Sequence, residues 1–178
     1  MPWFALRPER IEYEIAPGRR ITSHRATVEV RVAGAPWLRL YCFVDTGAPF
    51  SVVSQTVASA LASHLTWLPV PSGPVPRFAN GQSIPPAPLN PLLTWWDPLA
   101  QLAIPCRLGE LIISFSGLNP PRQSDPVTMV AKVLQARAAP YNDQFVLVGL
   151  GLLAANSGRL AIDGQPWGLG GPGLFFPP

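Results

Sequence analysis

Residues 41–54 read YCFVDTGAPFSVVS, and the reading of this stretch decides the reading of the chain. An apolar run ends at Asp45, a Thr-Gly-Ala turn follows, and a second apolar run starts at Phe50. A carboxylate between two segments that both bury side chains needs a reason. One reason is structural: the Asp side chain accepts hydrogen bonds from backbone amides and stabilises the turn. The other is chemical: apolar strands hold a carboxylate in a low-dielectric cleft, where it does acid–base work.

Working outward, residues 26–32 (ATVEVRV) set Val28, Val30 and Val32 against Glu29 and Arg31, the alternation of a half-buried strand. Ala33-Gly34-Ala35-Pro36 punctuates it. LRLYCFV, 38–44, places Leu38, Leu40, Cys42 and Val44 on one face and Arg39, Tyr41 and Phe43 on the other. This hairpin delivers the chain to Asp45. Beyond the turn, FSVVS reads as a short buried strand. Ser54 is placed to cap a helix running to about Leu65, with Val57, Leu61 and Leu65 four apart. Asn80-Gly81 predicts a hairpin over 76–84. CRLGELIISF (106–115) and VTMVAKVL (127–134) are further strands, and FVLVGLGLL (145–153) begins as a strand and turns helical near Leu150. RLAID, 159–163, reads as a last inner strand, and the tail GLFFPP is apolar.

The chain has 178 residues, enough for one domain with a core that needs no metal or disulfide. Its 23 prolines cluster most densely from Pro69 to Pro98. Proline is excluded from helix interiors and central strands, so the expectation is a mainly β chain of short strands and stiff loops. No internal repeat or long linker divides it. Hydrophobic residues make up 48% and charged residues 13%, which excludes a disordered polyelectrolyte. The net charge is +3, but Arg19, Arg20, Arg31, Arg107, Arg122 and Lys132 are scattered, with no stripe interleaved with aromatics, so nucleic acid is not the expected partner. Six tryptophans in so weakly charged a chain point to apolar surface that a partner covers. Cys42 and Cys106 form no Cys-x-x-Cys pair, and only His24 and His64 could join them, so neither metal nor cofactor is expected. Buried free thiols are the simpler reading. The N-terminus lacks a signal-peptide core, and the apolar run 145–155 is too short to span a bilayer. A soluble, cytoplasmic protein without membrane contact is the default expectation.

An apolar strand, Asp45-Thr46-Gly47-Ala48, a second strand and a helix, with Leu147-Val148-Gly149 and a helical turn downstream, resemble the retropepsin-like aspartic proteases. The resemblance spans roughly 26–164, within a single domain taken as 1–178, with a Pro/Trp-rich insertion over about 66–105. It implies a retropepsin-like closed β-barrel or sandwich with one or two short helices. Two places after Gly149, where many relatives carry a polar residue, this chain has Gly151.

The resemblance implies an aspartic endopeptidase. Asp45 would be one carboxylate of the catalytic dyad, and Thr46 would brace the turn against its counterpart. Gly47 would let backbone approach closely, and Ala48 would keep the cleft floor small. Leu147, Val148 and Gly149 would pack behind the turn. Two carboxylates a few ångströms apart share one proton, so one acts as base on water while the other donates to the peptide carbonyl. Only one Asp-Thr/Ser-Gly is present, so the second Asp45 must come from another copy across a two-fold axis. The expected partners are a second copy and a peptide or protein substrate. Leu174-Phe175-Phe176 would join the dimer contact or cover the chain's own core. FANGQSI, 78–84, with Ala79, Asn80 and Gly81 at its tip, is the flap candidate or an ordinary surface hairpin. The rival reading is an inactive peptide-binding or assembly module in which Asp-Thr-Gly is only a turn.

Overall fold

The computed structural model describes residues 3–5, 7–45, 47–69, 93–97, 102–118, 121–137, 144–155, 159–161 and 173–175. Two strands, β1 (Trp3–Ala5) and β2 (Arg7–Ala16), open the chain. A turn at Pro17-Gly18 leads into β3 (Arg19–Val32), and one at Ala33-Gly34 into β4 (Ala35–Asp45). After the Asp45 turn come β5 (Ser51–Val53), the helix α1 (Gln55–Ala60) and a 3-10 turn at Ala62–His64. Four strands follow: β6 (Thr66–Trp67), β7 (Thr94–Asp97), the long β8 (Leu102–Leu118) and β9 (Pro121–Gln123). Then come β10 (Val127–Leu134), β11 (Val146–Gly149) and the helix α2 (Leu150–Ala155), and last β12 (Arg159–Ala161) and β13 (Gly173–Phe175). The fold is mainly β with two short α-helices among the described residues.

The strand order β3-β4-β11-β5-β10-β8 closes on itself because β8 also pairs with β3, with Val30 opposite Phe115. Six strands therefore form a closed barrel, which leaves no open sheet edge within the ring. Its interior holds Val28, Val30 and Val32 from β3 and Cys42 from β4. From β8 come Leu111, Ile113 and Phe115, and from β10 Met129, Ala131 and Val133. These are the alternate residues that the period of two sends to one side. Leu61, just after α1, and Leu152, on α2, join this core. Burying one such large side chain contributes about 1.5–3 kcal/mol. A smaller cluster lies on the outer side: Val52, Ile104, Cys106 and Leu134, with Trp95, Phe145 and Leu147 against it. It works because β8 runs past the barrel and pairs with β7 there, Trp95 opposite Ile104.

The hairpin over 26–45, the strands within 106–115 and 127–134, and the strand-to-helix change at Leu150 stand where the alternation predicts. Three features differ. The helix after Ser54 stops at Ala60, because Leu61 leaves helical geometry (φ −100°, ψ 8°) as it enters the core. Ser54 makes no side-chain cap bond; its Oγ accepts from the Phe145 N–H at 3.2 Å instead. The strand beginning at Arg159 is not an inner barrel strand: it pairs with β13 and, through it, β1 in a separate three-stranded sheet, since the ring is already closed. β2 and the first half of β3 extend the hairpin sequence well beyond the barrel, and the described residues around their turn, 14–22, are exposed. The 76–84 hairpin lies outside the described residues.

Candidate active site

Asp45 is the last residue of β4 and its side chain is exposed in the single chain. The neighbouring strand is not β5, which follows it in sequence, but β11, which lies between the two. β11 runs parallel to β4, with Val148 opposite Val44 and Gly149 opposite Asp45. It runs antiparallel to β5, with Leu147 opposite Val52. The turn from Asp45 to Phe50 must therefore arch over the end of β11.

Backbone groups fasten that arch. The Gly47 N–H donates to Asp45 Oδ1 at 2.8 Å, and the Ala48 N–H to the Asp45 carbonyl at 3.3 Å. From below, the Leu150 N–H donates to the Ala48 carbonyl at 2.9 Å and the Gly151 N–H to the Pro49 carbonyl at 3.0 Å. The Gly149 N–H donates to Ser51 Oγ at 3.2 Å. The approach is so close that a Cβ on Gly149 would run into the Phe50 carbonyl group and come within 2.7 Å of the Ala48 oxygen. A Cβ on Gly151 would meet the Pro49 carbonyl oxygen, which accounts for glycine at that position in this chain.

Gly47 is exposed and Ala48 half-buried in the arch, and Thr46 lies outside the described residues. Val148 is buried in the barrel interior, Leu147 packs against the outer cluster, and Gly149 sits under the arch. Ala79, Asn80 and Gly81 lie outside the described residues. Trp95 meets Phe145 with ring centroids 6.1 Å apart, whereas Trp96 is 59% exposed. Both thiols are buried and free. Burial raises the Cys42 thiol, and raises Cys106 to about 11 despite the nearby Lys132 charge. Burial lowers Lys132, and Cys106 works against that. Among the described residues no group of three or more His, Cys, Asp or Glu is placed to hold a metal ion, and no helix is long and apolar enough to cross a membrane.

Sequence reasoning missed Ser51 and Ser54, whose hydroxyls accept from the ends of β11. The signal was present: two serines in FSVVS, inside an apolar run, need hydrogen-bond partners once buried. It also missed Lys132, a charge within the apolar run VTMVAKVL.

No protein-family model matches the sequence. No curated protein matches it significantly. Among solved structures, the chain is similar to a retropepsin-like aspartic protease from Rickettsia conorii, with a TM-score of 0.40 and 11% identity over 98% of this chain and 96% of that one. A likeness at that level carries no argument about chemistry, which rests on the arch and its carboxylate.

Proposed function

We propose that the protein is an aspartic endopeptidase of the retropepsin-like kind, active as a homodimer in which Asp45 faces the partner subunit's Asp45. The observation that carries this reading is the Asp45 arch. An exposed carboxylate ends a barrel strand, held by the Gly47 N–H through one oxygen, on a turn bonded from below by residues 149–151. A second Asp45 across a two-fold axis would share one proton with it. The ionised member takes a proton from water, whose oxygen attacks the peptide carbonyl carbon. The protonated member donates to the carbonyl oxygen, and the C–N bond then breaks as the amine takes up a proton. Residues 78–84 would cover an extended peptide lying over the arch.

The test is Asp45→Asn, assayed on a peptide library between pH 4 and 7. Asn keeps an oxygen for the Gly47 N–H, so the fold is expected to survive. Cleavage should fall by roughly a thousandfold or more, because the acid–base pair is lost. Sedimentation over a dilution series should show a dimer. A strictly monomeric native chain that cleaves nothing would leave an inactive peptide-binding module as the better reading.

A further inference from the structure

Lys132 is the only lysine in a chain with 13 Lys and Arg residues. It lies in β10 opposite Val52 of β5, in the parity that faces the outer cluster rather than the barrel interior. Its Nζ donates to the Thr94 carbonyl of β7 at 2.9 Å and stands 5.0 Å from the centroid of the Phe50 ring. Phe50 is the last residue of the arch that begins at Asp45, and β7 carries Trp95 into the outer cluster. One side chain on β10 thus meets two other pieces of chain that are far apart in sequence.

We propose that Lys132 is a positioning residue that fastens the Phe50 ring and β7 into one wall beside Asp45, so that it governs peptide binding rather than the chemical step. The inference rests on the aspartic peptidase reading of Asp45. The separation from chemistry follows from how the arch is held. Its backbone is bonded at Gly47, Ala48 and Pro49 by groups of residues 45 and 150–151, whereas Lys132 meets the arch at the Phe50 ring. A cation suits the place, since it meets a ring face and a carbonyl together. Burial lowers its proton affinity, as expected for a cation lodged at the edge of an apolar cluster.

The experiment uses the full chain with Lys132→Met, which keeps most of the aliphatic stem and loses the charge, and Lys132→Arg, which keeps the charge. Amide hydrogen exchange is read at 47–51 and 93–97, with 28–32 and 111–115 as internal reference, alongside steady-state peptide cleavage. In Lys132→Met, exchange at both wall segments and KM should each rise about fivefold, the scale of a lost cation–π contact plus a charged hydrogen bond partly replaced by water. kcat should stay within about twofold, and Lys132→Arg should restore much of the protection. Unchanged exchange at either wall segment, an equal rise in the reference strands, or a fall in kcat at constant KM overturns the proposal. If the native chain cleaves no peptide, the reading of Asp45 fails, and exchange alone still decides whether Lys132 fastens the two segments.

Discussion

Two turns of this molecule use glycine for opposite reasons. At Pro17-Gly18 the chain reverses between β2 and β3 in open solvent, and Gly18 has φ 73° with nothing within 4 Å of where a Cβ would lie. At the Asp45 arch, Gly149 has no such dihedral, but backbone of Ala48 and Phe50 fills the space a Cβ would take. The first glycine serves conformation and the second serves volume. The first costs the fold little if replaced, because strain in one exposed turn stays local. The second lies where three strands and the start of α2 converge, so no neighbour can yield without moving Asp45.

The largest expected effect breaks that contrast at its crowded end. Gly149→Ala should destabilise the protein by about 3 kcal/mol or more, since backbone rather than a flexible side chain must shift. Chemical denaturation measures it, and a loss below about 1 kcal/mol would show that the arch is loose. A second test uses pH on the packed side. Burial raises Cys106 from 9.0 to about 11, so the folded chain keeps a proton that the unfolded chain releases. That contribution is fully present below pH 9 and is lost as pH rises towards 11. Its size is about 2–3 kcal/mol at two pH units. Cys106→Ala should flatten this alkaline slope of unfolding free energy, and an unchanged slope would place the thiol in contact with water. Lys132, lowered by burial, works in the opposite direction, and because Cys106 holds it up, its own lowering deepens in Cys106→Ala and adds to the flattening. The smallest effect is at the open end: Gly18→Ala should cost about 1–2 kcal/mol from the left-handed dihedral alone. It should leave peptide cleavage unchanged, and a loss of cleavage would tie the β2–β3 hairpin to the site.

The strands most legible in the sequence were those with one face in the barrel. Val28, Val30 and Val32, and Leu111, Ile113 and Phe115, alternate with polar or exposed neighbours, and burial on one side imposes that pattern. β2 was missed although Ile11-Glu12-Tyr13-Glu14-Ile15 carries the same period of two. The short helix after Ser54 was overread: the spacing of Val57, Leu61 and Leu65 fits a helix, but those residues reach the same core through a helix and a 3-10 turn.

For the site, the sequence by itself determined the chemical inventory. It supplied one Asp-Thr-Gly-Ala between apolar runs, an apolar-apolar-Gly element far downstream, two unpaired cysteines and a single lysine. These are properties of residue type and local period. The tertiary structure alone decided that β11 slides between β4 and β5, setting Gly149 opposite Asp45 although 104 positions separate them in the numbering. It also decided that Ser51, Ser54 and Lys132 are fasteners. The reason is that local sequence specifies which face of a strand is apolar but not which strand lies beside it. Neighbours are chosen when the ring closes and every buried hydroxyl, amide and charge must find a partner.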